Sequence, residues 1–187
     1  MPASWMDRLA ALATRRVLGL LIVIFLVLFL VVFPLVTARL NMLSGGVAMI
    51  DMQPSYSPTQ VFQMVASYGP EGRPLYILST LTADLLFPLD YSLLLSLLIV
   101  ATYRQAFPGG RLLRTLALIP FLTAGFDLLE NAAIVTLLST YPQQLTFIAQ
   151  LASLFTTFKW AFVLISLVLV LIGFVGLAAA RLRQPNK

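Results

Sequence analysis

The chain of 187 residues contains no cysteine and no histidine, and only 10% of it is charged. Without cysteine there can be no disulfide, thiol redox couple or iron–sulfur ligation. Without histidine there is no His-ligated haem, no His-based metal site and no Ser-His-Asp triad. A soluble domain is about a quarter charged, so this composition cannot cover a water-facing surface. Disorder is excluded as well, because 60% of the residues are hydrophobic. Neither a Gly-rich phosphate loop nor a Gly-x-Ser-x-Gly elbow occurs. No cofactor and no metal are expected. What remains for chemistry is carboxylates, one intramembrane lysine, tyrosines, Ser/Thr hydroxyls and amides.

Long apolar runs take the place of charge. Runs above 18 residues identify an all-α integral membrane protein. Four spans are expected, at about 17–36, 75–102, 112–140 and 145–180, in a single membrane domain covering 1–187. They form a four-helix bundle in the bilayer. The fourth is longer than the ~20 residues that a bilayer requires, so it tilts or protrudes. Arg15-Arg16 followed by an apolar run also suits a signal peptide, and Val36-Thr37-Ala38 resembles a weak cleavage site. The run exceeds the 7–15 residues of an ordinary signal peptide, which favours a retained signal anchor.

The net charge of +5 follows topology and does not point to nucleic acid. Arg8, Arg15, Arg16, Arg104, Arg111, Arg114, Arg181, Arg183 and Lys187 fall on one side, and Arg39 and Arg73 on the other. The positive-inside rule then places both termini in the cytoplasm, and an even span count agrees.

Two amphipathic segments flank the spans. Ser4 to Asp7 is a helix start with Trp5, Leu9 and Leu12 on one face. The outer loop, about 40–74, holds Ser57-Pro58-Thr59-Gln60, which combines an N-cap, Pro at N1 and Gln at N3. A helix at about 58–68 follows, with Val61, Phe62, Met64, Val65 and Tyr68 as its apolar face. The plain expectation is a helix resting in headgroups; the sharper one is a lid over the bundle.

Asp84, Asp90, Asp127, Glu130 and Lys159 lie within spans. A charge at mid-bilayer costs at least ~2.5–3.5 kcal/mol on insertion scales, so these groups must face the interior. At 1.5 Å per residue all five fall in one slab. Asp127, Glu130 and Asn131, at i, i+3 and i+4, share a face that Thr123 extends. Two carboxylates that close need a cation or a proton between them. Asp84 and Tyr91 share a face of span 2. Pro88 lies between them and can free the carbonyl of Asp84. Asp90 points ~120° away from Asp84. Ser153, Thr156 and Lys159 follow a three-residue step and should face span 3, with Trp160 as a supporting neighbour.

Polar residues in spans often act as interhelical glue, and one acid paired to Lys159 needs no further role. Four acids against one base exceed that need. Ser92-x-x-x-Ser96 and Gly176-x-x-x-Ala180 read as plain helix packing. Three functions stay open. The first is binding or transport of a small ligand in a net-acidic pocket: a cation, a proton, an amine or a sterol- or lipid-like amphiphile. The second is an intramembrane acid/base enzyme on a lipid or sterol-like substrate. The third is a structural subunit whose polar cluster is glue. The candidate ligand residues are Asp84, Asp90, Tyr91, Asp127, Glu130, Asn131 and Lys159, supported by Thr123, Ser153, Thr156, Pro88 and Trp160. The expected partners are the bilayer, an amphipathic or cationic ligand and, if the chain conducts ions, further copies of itself, since one four-helix bundle is sterically tight for conduction.

Four spans, a long outer segment with a short helix after span 1, and an acid close to a proline in span 2 (Asp84-Leu85-Leu86-Phe87-Pro88) resemble the EXPERA group of emopamil-binding sterol isomerases and their receptor-like relatives. The isomerases use a histidine, which this chain lacks. The resemblance therefore implies a carboxylate pocket for sterols or cationic amphiphiles, with Asp84 and Glu130 as counter-ions.

Overall fold

The computed structural model describes residues 5–107 and 115–183. The candidate positions Ser4, Arg111, Leu112, Arg114 and Lys187 lie outside them. Every regular element among the described residues is helical, and four helical stretches are long and apolar enough to cross a membrane: Arg15–Ser44, Gly69–Ala106, Ile119–Ser139 and Thr146–Leu182.

The first stretch follows a short helix α1 (Trp5–Leu12) and begins where Thr14 accepts a hydrogen bond from the N–H of Val17 at 3.2 Å. It comprises α2 (Arg15–Val27), a wide π-turn (Leu28–Val32) and α3 (Phe33–Ser44). The wide turn directly precedes Pro34, which has no N–H to give and whose ring crowds the preceding turn. Gly45 (φ 71°) and Gly46 (φ 94°) then end α3 in the left-handed region that glycine tolerates.

The segment between the first two stretches, called the outer segment after its expected side, runs through a 3-10 turn (Ile50–Met52) into α4 (Pro58–Ser67). Ser57 and Gln60 form the reciprocal capping box, with Ser57 N–H donating to Gln60 Oε1 at 2.8 Å and Gln60 N–H to Ser57 Oγ at 3.3 Å. Val61 and Val65 are buried in one cluster with Ile134, Leu137, Ala149 and Ala152, so α4 packs on the end of the bundle. Its apolar face found protein to bury against, and apolar contact there removes the same surface from water as lipid would.

The second stretch comprises α5 (Gly69–Leu81) and α6 (Ala83–Ala106), broken at Thr82 (φ −120°, ψ −87°). It starts earlier than residue 75: Pro70 sits in the first turn, where helices tolerate proline, and Pro74 lies inside the helix, leaving the Pro70 carbonyl without its helical donor. The third, α7 (Ile119–Ser139), begins later than residue 112 among the described residues, with Pro120 in its first turn. The fourth, α8 (Thr146–Leu182), has 37 residues, or ~55 Å against a ~30 Å hydrocarbon core.

The packed unit is α6, α7 and α8, with α2 lying against α6 and α3 against α5. A Cβ added to Gly173 would come within 2.2 Å of Thr102 Oγ1, and one on Gly176 within 2.7 Å of Phe107. Small residues let α8 approach the far end of α6 closely, the usual device for helix association in lipid. Ser96 donates across to the Ala117 carbonyl at 2.8 Å, which adds a polar tie between α6 and the start of α7.

Candidate functional site

Glu130 is fully buried on α7, and Lys159 on α8 reaches it with Nζ–Oε2 at 2.5 Å. The same ammonium stands 3.7 Å from Asp127 Oδ1 and donates to the backbone carbonyl of Asp51 at 3.5 Å. The second oxygen of each acid is held by a hydroxyl. Tyr91 on α6 donates to Asp127 Oδ2 at 2.8 Å, and Thr156 on α8 donates to Glu130 Oε1 at 2.5 Å. Helical spacing produces this: i, i+3 on both α7 and α8 brings each pair to one face, and the faces meet. An ion pair taken out of water is tolerable only when its remaining lone pairs and protons are satisfied; the two hydroxyls meet part of that need, while Asp127 Oδ1 keeps only the 3.7 Å approach of Lys159.

Asn131 donates to the backbone carbonyl of Asp84 at 3.0 Å. That carbonyl is the one Pro88 leaves without a helical donor. The Asp84 carboxyl is buried outside both ion pairs, within electrostatic reach of Asp51, Asp127, Glu130 and Lys159.

Three placements differ from the sequence reading. Asp90 does not join the group. It shares a face of α6 with Phe87, Leu94 and Leu97, which pack against α2, and both its oxygens lack a hydrogen-bond partner among the described residues. The ~120° between Asp84 and Asp90 already separated them. Ser153 turns to the outer segment and accepts from Tyr56 N–H at 3.0 Å, because a three-residue step drifts ~60° per step and carries it past α7. Trp160 is 42% exposed and its ring centre lies 5.8 Å from Lys159 Nζ, so it faces outward beside the site. Thr123 is buried with its hydroxyl unpartnered among the described residues.

The outer segment supplies residues that the spans did not announce. Tyr76 accepts from the N–H of Ile50 at 3.0 Å and donates to the Asp51 carboxylate. Tyr68 donates to the Ala48 carbonyl at 2.7 Å, and Thr157 to that of Pro54 at 3.3 Å. The Tyr56 hydroxyl lies 3.4 Å from Thr156 Oγ1. Burial pushes the Tyr56 and Tyr68 hydroxyls well above the ordinary tyrosine range, so both stay protonated at any physiological pH. The available signal was Val47 to Ile50, too apolar for an open loop, with Asp51 next to it.

Two clefts flank α4. One of about 680 Å³ lies between α4 and the α7–α8 connection, between Phe62, Gln63, Leu137 and Tyr141. The other, about 430 Å³, opens between α4 and the outer segment and is lined by Ser55, Tyr56, Gln60, Gln63 and Ser67. No group of three or more Asp, Glu, His or Cys residues among the described residues is placed to hold a metal ion. Compared with family models, with curated proteins and with solved structures, the chain matches none of them.

Proposed function

We propose that this multi-pass membrane protein binds a small cation, a proton or a protonated amine, in the acidic cluster beneath its outer lid. The observation that carries the reading is the charge balance. Asp51, Asp84, Asp127 and Glu130 lie within reach of one ammonium, Lys159. With Lys159 against Glu130, Asp51, Asp84 and Asp127 are left without a cationic partner of their own, and Asp84 and Asp127 are buried on the long apolar helices, where unbalanced charge is costly. Lys159 supports the choice of ligand, because its own primary ammonium is held by carboxylates and one backbone carbonyl. An amine ligand presents the same group. The EXPERA-like layout supports a cationic amphiphile as one such ligand, with Asp84 and Glu130 as its counter-ions. In this reading both termini are cytoplasmic, supported by Arg15, Arg16, Arg104, Arg181 and Arg183 at one end of the helices and Arg39 and Arg73 at the other.

A second reading, a structural network, is supported by the internal pairing of Lys159, Glu130, Thr156, Asp127 and Tyr91. Asp84→Asn separates the two. It removes a charge that takes part in neither ion pair. Cation binding expects a thermal shift of the wild type with amines or with falling pH, and loss of that shift in Asp84→Asn. No shift of the wild type under any condition, with the variant unchanged in melting temperature, leaves the structural reading.

A further inference from the structure

A chain of hydroxyls links the buried cluster to a surface cleft. Tyr56 lines the 430 Å³ cleft beside α4, yet is only 8% exposed. Its hydroxyl lies 3.4 Å from Thr156 Oγ1, which lies 2.5 Å from Glu130 Oε1. The other oxygen of Glu130 meets Lys159, which stands beside Asp127, and Asp127 ends on Tyr91. The outer segment, α8, α7 and α6 each contribute a link. We propose that Tyr56 and Thr156 form a proton-entry relay that carries protons from the outer cleft to the Glu130 carboxylate. This deepens the reading above, on which it rests, by naming the proton as the exchanging ion and the cleft as its door.

The chemistry balances at each step. A proton arriving from water in the cleft bonds to the Tyr56 oxygen as the Tyr56 proton passes to Thr156 Oγ1. The Thr156 proton passes in turn to Glu130 Oε1. Each hydroxyl gains one proton and loses one, and Glu130 gains one overall. Neither hydroxyl has to become an anion, which suits two buried hydroxyls. Thr156 Oγ1 is also 2.9 Å from the Ala152 carbonyl. That carbonyl is a second acceptor for the Thr156 proton once Glu130 holds its own. The charged and titratable groups facing Glu130 are Lys159 from α8, Asp127 on its own helix, Asp84 and Tyr91 from α6, and Asp51 and Tyr56 from the outer segment. Of these, Tyr56 alone lines either of the two clefts that flank α4.

The test is a pH jump on the full chain in lipid nanodiscs, followed by the infrared carbonyl band of a protonated carboxyl. Glu130→Gln identifies its contribution. Wild type, Tyr68→Phe and Thr156→Ser should develop the Glu130 band at the same rate. Tyr56→Phe and Thr156→Val should keep its final amplitude but slow it by roughly tenfold or more, the scale on which a positioned proton carrier acts. If Tyr56→Phe fails to fold, the Thr156→Val and Thr156→Ser pair decides alone. Variants as fast as wild type overturn the relay and leave cation binding standing. A wild type with no Glu130 band at any pH overturns proton uptake at Glu130 and the relay with it.

Discussion

Asn131 on α7 fills, at 3.0 Å, the hydrogen bond that Pro88 denies to the Asp84 carbonyl on α6. A side chain on one helix thereby repairs the backbone of its neighbour, and it does so beside the acidic cluster. Asn131→Leu should leave a buried carbonyl unpaired at a cost of about 1–3 kcal/mol. Pro88→Ala restores a backbone donor four residues on, so the same Asn131→Leu change should cost much less in that background. A double-mutant cycle on melting or unfolding in detergent measures this; equal costs in both backgrounds would refute the link.

Lys159 and Glu130 are in direct contact, with Nζ 2.5 Å from Oε2. Lys159→Met should be strongly destabilising, by about 3–5 kcal/mol, because it strands a buried carboxylate. Adding Glu130→Gln should recover part of that loss. Simple additivity of the two losses would mean that the pair is not coupled in the folded protein.

The glycines of α7 and α8 should respond oppositely to a methyl group. Gly173→Ala drives a Cβ into Thr102 and Tyr103, an overpacking expected to cost about 1–3 kcal/mol. A Cβ added to Gly125 would meet nothing within 4 Å, so Gly125→Ala should be neutral or stabilising by up to about 1 kcal/mol. Comparing the two melting temperatures checks the α6–α8 crossing directly.

Topology is accessible to impermeant thiol reagents, since the chain has no cysteine of its own. Cysteines introduced at Ser67 and Gln143 should label from outside, and one at Gln105 should not; all three positions are exposed. Labelling of Gln105 from outside would reverse the orientation proposed here.

The spans were legible because length and apolarity alone define them, and because ionisable residues stand out against an apolar background. Helical periodicity was enough to bring Asp127, Glu130 and Asn131 together. The freed carbonyl of Asp84 followed from the chemistry of proline alone, but its partner did not, since that depends on which face of α7 meets α6. Asp51, Tyr56 and Tyr76 were not legible as site residues. They reach the cluster through long-range contacts of the outer segment, 97 residues apart in the case of Tyr56 and Ser153. No local pattern encodes such a contact. Asp90 misled for the complementary reason: depth along a span is readable from residue count, whereas the neighbour that a face meets is not.

The wide turn at Leu28–Val32 corrects the phase of the first membrane helix. Leu21 and Leu28, seven residues apart, sit on one buried stripe, as about 100° per residue requires. Leu40, twelve residues beyond Leu28, would lie about 120° off that stripe on an unbroken α-helix. A single π-turn absorbs one residue, which leaves about 20° and brings Leu40 back into line. Leu40 is indeed fully buried, among the residues that close the outer end. One extra residue ahead of Pro34 thus keeps a single helix facing α6 along its inner half and the outer segment along its outer half.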